Sequence, residues 1–304
     1  MIQIEEYSVF FDFVLIRARI DPLKVQQEIL RVVAHLPSGL EWDIPFTKKS
    51  EHSHIIYSLE SRKQFAEAGG LSDSYPSIEV LFINNEKKIF SAAEFKAEIE
   101  GKNDTHKLER EFFSIIQNAK ASTVLEIGSR PRKGTIRRTL FQGMEYTGID
   151  IKPGQNVDLA VDAHALSSGL PNQNFSAVYS IYVFEHLAMP WKAAIEMAKV
   201  MKIGGHAYVL SHQTYGIHDA PWDFWRFNDT TWPTLFNKKS GFEIVATAFG
   251  DPVFMTPRFY RPDWKGSEEI LGYCDSAVIV KKIAEPVIDW NVETSEVVKD
   301  EYPA

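Results

Sequence analysis

Three acidic residues end or follow apolar runs that are typical of buried strands. Glu126 lies in Val-Leu-Glu-Ile-Gly, Asp150 ends Tyr-Thr-Gly-Ile-Asp, and Asp162 follows Leu-Ala-Val. Because ligands of open α/β sheets bind beyond the carboxyl ends of the strands, we expect these carboxylates to share one pocket. Asp150 lies 22 residues after Gly128, where an acidic side chain accepts hydrogen bonds from ribose hydroxyls. Three acids around one pocket favour a nucleoside-like ligand with a positive charge over a phosphate.

The loop after the first of these runs, Gly128-Ser129-Arg130, contains a single glycine. Gly128 allows the backbone to approach a ligand closely, and a helix starting near Gly134 would offer free amides to a carboxylate. The Gly-x-Gly-x-x-Gly pattern of dinucleotide sites does not occur here, and a carboxylate at Glu126 would repel a pyrophosphate. A dinucleotide oxidoreductase is therefore the disfavoured alternative.

Residues 211–227 combine histidines, acids and aromatic rings directly after the predicted fifth strand. Flat aromatic faces bordered by acids suit sugar rings or planar acceptors, and a histidine with an aspartate makes a workable general base. We predict that His218 or His186 is this base and that Asp219 is its partner. The acceptor-binding residues predicted from this stretch are His212, Trp222, Asp223 and Arg226.

The alternative is that this stretch is a lid held by its own side chains. Asp223 and Arg226 are three residues apart, which suits a helical ion pair. Packing is the favoured role of Trp225 and Phe227. The histidines and Asp219 do not have metal-ligand spacing and no cysteine supports them, so no metal is predicted.

Residues 105–284 alternate short apolar runs with helical segments, which implies a Rossmann-like doubly wound α/β sheet of seven strands. Residues 1–104 differ and predict a small α+β domain, and residues 285–304 read as an acidic tail or arm. The predicted strands are 123–127, 145–149, 157–161, 177–181, 207–210, 242–248 and 277–280.

In the first domain, residues 22–36 predict a helix, because apolar side chains recur there at alternating steps of four and three. Residues 78–90 predict a hairpin with Asn84-Asn85 at the turn, since asparagine tolerates positive φ. An amphipathic helix is expected over 108–119. Substrate capture and dimerisation are both open roles for this domain.

The chain of 304 residues is 44% hydrophobic and 24% charged, as expected of a folded protein with one or two domains. Its net charge of −8 disfavours nucleic acid as a partner, and the basic group at 130–138 reads as a solvated helix start. No signal peptide or membrane span is apparent, so a cytoplasmic location is expected. The single cysteine, Cys274, reads as a core residue and not as a nucleophile.

Over residues 122–281 the sequence resembles the class I S-adenosylmethionine-dependent methyltransferases. The motifs are Val-Leu-Glu-Ile-Gly, Tyr-Thr-Gly-Ile-Asp, Val-Asp-Ala, Phe-Glu-His-Leu and Lys-Ile-Gly-Gly, in that order. Arg130 departs from the pattern, because it stands where the family commonly has a second glycine. The resemblance implies S-adenosylmethionine as cofactor, with the methionine end at Glu126 and Gly128. The full cofactor set predicted is Glu126, Gly128, Ser129, Arg130, Asp150 (ribose), Ile151, Asp162 and Ala163 (adenine), Tyr182 and Glu185.

The run Pro-Trp-Asp-Phe-Trp-Arg-Phe resembles a type 11-like subgroup of bacterial methyltransferases that is associated with cell-surface polysaccharide biosynthesis. This resemblance implies methyl transfer to an oxygen of a small-molecule or glycan acceptor. The alternative function is a catalytically inactive methyltransferase fold that serves as a binding or assembly module. Homo-oligomerisation is left open.

Overall fold

The computed structural model divides into two compact units, Met1–Lys102 and Asn103–Ala304. The residues that the structure describes are 2–9, 14–20, 29–35, 39, 41–43, 46–50, 53–58, 77–82, 84–91, 104–132, 136–170, 174–254, 271–298 and 300–302.

The described part of the first unit consists of strands in two four-stranded sheets. One sheet has the order β1-β2-β6-β5 and the other β4-β3-β7-β8, and neighbouring strands in both are antiparallel. The strands are β1 (Ile2–Val9), β2 (Val14–Ile20), β3 (Ile29–His35), β4 (Glu41–Asp43), β5 (Phe46–Ser50), β6 (Ser53–Ser58), β7 (Ser77–Phe82) and β8 (Lys87–Phe90).

The helix predicted over residues 22–36 is wrong in its second half, where β3 runs instead; residues 21–28 lie outside the described residues. Val32 and Val33 are adjacent in sequence and both buried, which a strand covered on both faces permits. Their β-branched side chains favour a strand. The hairpin of β7 and β8 is confirmed, and Asn85 has the positive φ of 66° that its turn demands.

The second unit is built on a seven-stranded sheet with the order β11-β10-β9-β12-β13-β15-β14, and all seven predicted strands are confirmed. Strands β9 to β13 are parallel to one another, whereas β15 runs antiparallel to both β13 and β14. The strands are β9 (Thr123–Ile127), β10 (Glu145–Asp150), β11 (Leu159–Ala160), β12 (Phe175–Ile181), β13 (Met201–His212), β14 (Phe242–Phe254) and β15 (Leu271–Lys282).

Helices cover both faces of this sheet. The predicted amphipathic helix is confirmed as α1 (Asp104–Asn118), which buries Phe112 and Ile116 against one face. Short α2 (Leu166–Gly169), α3 (Pro190–Val200) and α4 (Trp232–Leu235) lie with the apolar cluster of the other face. Pro190 begins α3, where its missing amide costs no hydrogen bond.

The segment after β9 differs from the expectation. A helix starting near Gly134 was predicted; residues 133–135 lie outside the described residues, and Arg137–Phe141 then form a 3-10 helix of five residues. Phe141 is buried against Phe113 and Tyr179. The loop after β9 therefore has no long helix of the expected kind within the described residues.

Residues after β15 return along the second face of the sheet. Trp290 lies edge-on to Trp191, and Lys192 donates to the carbonyl of Val292 at 2.7 Å. A short helix, α5 (Thr294–Val297), follows. The predicted acidic tail is thus held to the second unit by separate contacts in its described part, although most of its side chains are exposed. Of the helices that the structure describes, none combines the length and apolarity needed to span a membrane.

Candidate active site

A pocket of about 730 Å³ opens at the carboxyl ends of β9 to β13. This is the place where open α/β sheets bind ligands, and the volume is typical of a cofactor site. Of the predicted site residues, those that line the pocket are Gly128, Arg130, Asp150, Ile151, Asp162, Ala163, Tyr182, His186, His212, His218, Asp219 and Trp222. The remaining ones, which do not line the pocket, are Glu126, Ser129, Glu185, Asp223 and Arg226.

Gly128 shapes the floor of the pocket. Its φ is +78°, and a Cβ added there would lie 2.2 Å from Cγ2 of Val183. Its amide and that of Ser129 both donate to the carbonyl of Ile149 at 2.9 Å, which ties the loop to β10. The Ser129 hydroxyl is also used, because it donates to the carbonyl of Asn156. Only glycine fits at position 128.

Asp150 ends β10 and faces the pocket beside Arg130. The amide of Lys152 donates to its Oδ1 at 3.0 Å, and Nε of Arg130 lies 3.5 Å from the same oxygen. That Nε is buried and has no hydrogen-bond partner among the described residues. A buried donor without an acceptor is costly, so this corner of the pocket suits a ligand with hydroxyl or carboxylate oxygens.

Asp162 lies in the next corner, after β11. Its Oδ1 is 2.6 Å from Nδ1 of the buried His164, and its Oδ2 accepts from the hydroxyl of Thr294 at 2.9 Å. Burial raises the pKa of the Asp162 carboxyl, but the hydrogen bonds and charge of His164 outweigh it, so the pKa lies below its usual range. Asp162 is therefore an anion and an acceptor at neutral pH.

Glu126 does not reach the pocket. It is buried in β9, where it accepts from the hydroxyl of Tyr146 and lies 3.6 Å from a guanidinium nitrogen of Arg137. Burial raises the pKa of its carboxyl, and Tyr146 and Arg137 offset part of that effect. The prediction that Glu126 contacts the methionine end has no support in this arrangement, because strand alternation turns the side chain to the α1 face.

Three histidines meet at the other end of the pocket. The ring centroids of His186 and His218 are 4.8 Å apart, and those of His212 and His218 are 5.2 Å apart. His186 follows β12 in a 3-10 helix, His212 ends β13, and His218 lies in the loop beyond it. His186 and His212 are 26 residues apart in the sequence, and His212 and His218 are six apart. These spacings do not predict the group, which forms because the parallel strands end side by side.

His212 is held rigidly in this group. Its ring stacks between Tyr182, at 4.5 Å, and Tyr215, at 4.2 Å. Its Nδ1 lies 3.2 Å from Oδ1 of Asp275, whose other oxygen accepts from the Tyr182 hydroxyl. Tyr182 has a positive φ of 55°, which is unfavourable for a bulky residue and typical of functional sites.

The predicted partnership of His218 with Asp219 is not what the structure contains. Asp219 binds Arg132 and lies 3.8 Å from Nε2 of His186 instead. The partner of His218 is Asp223, whose Oδ2 accepts from the His218 amide and lies 3.4 Å from Nδ1.

Asp223 also forms a two-pronged ion pair with Arg226, at 2.6 and 2.8 Å. The ion pair of the alternative interpretation is present, but residues 223–226 are not helical, so the helix that it implied is wrong. The ion pair closes a loop behind the histidines, and it explains why neither side chain lines the pocket. Phe227 is buried and stacks on Trp232, as expected of a packing residue.

Sequence analysis missed several residues of the pocket wall. Tyr302 comes from the far end of the chain: it accepts from Arg132 at 2.7 Å and packs edge-on to Trp222, whose indole donates to the carbonyl of Asp300. Burial raises the pKa of the Tyr302 phenol. Arg132, read as a solvated residue, bridges Tyr302 and Asp219. No local pattern in the sequence indicates these contacts.

Cys274 was expected in the core but lines the pocket from β15, half-buried. Burial raises the pKa of its thiol to about 11, so it stays protonated at neutral pH. It remains a poor nucleophile, as predicted, since the thiolate is the reactive form.

Comparison with known proteins gives one family. The family described as methyltransferase domain matches residues 125–209. No curated protein matches the chain. Among solved structures, a SAM dependent methyltransferase from Archaeoglobus fulgidus is 18% identical with a TM-score of 0.43, covering 62% of this chain and 98% of that chain. The N-methyltransferase NodS from Bradyrhizobium japonicum, in complex with S-adenosyl-l-homocysteine, is 15% identical with a TM-score of 0.38, covering 59% and 88%.

The second unit has the strand order of the Rossmann-like methyltransferase fold, and the family match lies within it. The matched residues, 125–209, run from β9 into β13.

Proposed function

We propose that this protein is an S-adenosylmethionine-dependent methyltransferase. The observation that supports it is a single pocket with two chemically different ends. Asp150 and Asp162 line one end, and His186, His212 and His218 line the other. Carboxylates can accept hydrogen bonds from ribose hydroxyls and from an adenine amino group. Imidazoles can remove a proton from the methyl-accepting substrate.

The cofactor-binding residues are those of the first end. Asp150 accepts from the ribose hydroxyls, Asp162 with Ala163 holds the adenine, and the unpartnered Nε of Arg130 binds an oxygen of the cofactor. When bound, S-adenosylmethionine supplies the electrophilic methyl group. The carboxylates of Asp150 and Asp162 favour a sulfonium over an uncharged ligand.

A methyl acceptor with an oxygen nucleophile fits the second end. Nδ1 of His186 lies against the carbonyl of Trp222, and because a carbonyl only accepts, this nitrogen holds the proton and Nε2 has the free lone pair. His218 is similarly placed against the carbonyl of Gly216. Nε2 of either histidine can therefore take the proton from the substrate hydroxyl. The aromatic rings of Tyr215 and Trp222, which also line the pocket, suit contact with the face of a sugar.

The test is binding of S-adenosylhomocysteine to the purified chain by calorimetry. Asp150→Ala removes the ribose acceptor, so we expect at least about tenfold weaker binding, which corresponds to about 1.4 kcal/mol. Asp229→Ala is the matched control, since Asp229 is an exposed loop aspartate outside the pocket wall.

Absence of binding to the wild-type chain would overturn the cofactor assignment. Binding without turnover on any glycan or small-molecule acceptor would instead favour an inactive binding module. Equal weakening by Asp150→Ala and Asp229→Ala would show that the ribose does not bind at Asp150.

A further inference from the structure

Glu185 is a buried carboxylate behind the histidine group. Its side chain is 0% exposed. One oxygen, Oε2, accepts from the hydroxyl of Ser211 at 2.6 Å, but Oε1 has no hydrogen-bond partner among the described residues. An ionised carboxylate out of water with one free oxygen is costly unless a cation lies next to it. The structure therefore leaves a place for positive charge at Oε1.

Imidazole nitrogens surround this oxygen. Nε2 of His212 is 3.6 Å from Oε1, and Nε2 of His186 is 3.9 Å from it. One ligand atom each from Glu185, His186 and His218 also lie within 4.8 Å of one another. Bonds of about 2.1 Å to one ion separate its ligand atoms by about 3.4 Å in a tetrahedron and about 4.2 Å across an octahedron. Nε2 of His186 lies within this range of Oε1, at 3.9 Å, whereas the group of three as a whole is wider, with ligand atoms up to 4.8 Å apart.

The second nitrogen of each ring is already committed. Nδ1 of His186 lies against the carbonyl of Trp222, and Nδ1 of His218 is 3.2 Å from the carbonyl of Gly216. Nδ1 of His212 is 3.2 Å from the Asp275 carboxylate. Histidines that bind metals almost always donate their other N–H to a carbonyl or carboxylate, which fixes the lone pair toward the ion. All three histidines show this arrangement.

We propose that Glu185, His186 and His218 bind one divalent transition metal ion of the zinc type. Two imidazoles and one carboxylate favour such an ion over magnesium or calcium, which prefer oxygen ligands. The ligands come from the loops after β12 and β13, so their spacing in the sequence does not predict a metal site. Glu185 binds the metal in this assignment and does not contact the cofactor.

The chemical consequence rests on the proposed function. A metal-bound acceptor hydroxyl has a lower pKa, because the ion stabilises the alkoxide. The Asp219 carboxylate, 3.8 Å from Nε2 of His186, is then placed to accept the proton. The lone pairs of His186 and His218 are used on the metal, and they no longer act as the general base.

The experiment uses the full chain, stripped with a chelator and titrated with Co²⁺ while visible absorption and calorimetry are recorded. We expect about one ion per chain and the ligand-field bands of a nitrogen and oxygen site. Glu185→Gln keeps the shape and the contact to Ser211 but removes the charge, and it should weaken Co²⁺ binding at least about tenfold. His206→Asn is the matched control, a half-buried histidine on β13 outside the group.

His218→Asn is the second variant, since its side chain is 27% exposed and its loss is the least disruptive to folding. Thermal unfolding of each variant verifies the fold. No Co²⁺ binding by the wild type, or equal binding by both ligand variants and His206→Asn, overturns the proposal and leaves Glu185 paired with a protonated imidazole. S-adenosylhomocysteine affinity measured on the same samples distinguishes the two proposals. A wild-type chain that binds Co²⁺ but not S-adenosylhomocysteine overturns the proposed function and leaves the metal site in place.

Discussion

Gly128 combines a positive φ with a close neighbour. Gly143 has a similar φ of +85° but nothing within 4 Å of an added Cβ, whereas Gly128 would bring a Cβ into Val183. We expect Gly143→Ala to lower the free energy of unfolding by about 1 kcal/mol from backbone strain alone, and Gly128→Ala by about 2 kcal/mol or more. Urea denaturation measures both. S-adenosylhomocysteine binding should weaken only in Gly128→Ala; equal effects of the two variants would contradict the role of the contact with Val183.

Asp223 gives the histidine loop a pH dependence. The hydrogen bonds from Arg226 lower the pKa of its carboxyl to about 2, from 3.8 in an unfolded chain. The pair therefore stabilises the fold fully above about pH 4, and this contribution is lost as the pH falls toward 2. We expect Asp223→Asn to reduce the free energy of unfolding by about 1 to 2 kcal/mol at pH 6. In denaturation at several pH values, the difference from wild type should shrink below pH 4; a constant difference would contradict the assignment.

The sequence predicts that Asp150 and Asp162 line the pocket, because each lies at or shortly after the end of a strand. Glu126 looked equivalent but lies inside β9, beside Tyr179 of β12 and Gly148 of β10 in the sheet. Side chains on a strand alternate between faces, so Glu126 shares the face of Val124 under α1. Applying this alternation to the sequence would have excluded Glu126, whereas the partners of Asp219 and His218 depend on a loop path that no periodicity encodes.

The segment after β15 is the element that the sequence describes least well. Its composition is acidic and aperiodic, yet it is held by separate contacts, such as Lys199 to Asp289 at 2.9 Å and Thr294 to Asp162. Single contacts to distant elements leave no repeating pattern. Strands β9 and β12 at the centre of the main sheet, in contrast, are nearly continuous buried runs, and burial on both faces makes such runs recognisable.

Tyr302 tests whether this segment is part of the pocket. Tyr302→Ala removes a ring that contacts Trp222 and Arg132, so we expect S-adenosylhomocysteine to bind about three- to tenfold more weakly. Tyr302→Phe keeps the ring and loses only the hydrogen bond from Arg132, so its effect should be smaller. Calorimetry measures both affinities. Unchanged binding by Tyr302→Ala would show that the segment does not contribute to the ligand wall.

At the scale of the whole molecule, the second unit contains every residue of the candidate site. Its apolar clusters on both faces of the sheet are formed within residues 103–304. We expect a fragment of residues 103–304 to unfold in one cooperative transition and to bind S-adenosylhomocysteine within about twofold of the full chain. Circular dichroism and calorimetry measure these properties. An insoluble fragment, or one that has lost the ligand, would show that residues 1–102 stabilise the site.

Strand β15 follows β14 in the chain, as the last of the described strands, but lies between β13 and β14 in the sheet. Among the described strands, β14 pairs with β15 alone. During synthesis, β14 therefore leaves the ribosome before its partner exists, and one edge of β13 stays bare until residue 282 has emerged. An unpaired edge of this kind attracts other strands. The sheet is therefore completed only after residue 282 has been translated, and until then two strand edges are open to pairing with other chains.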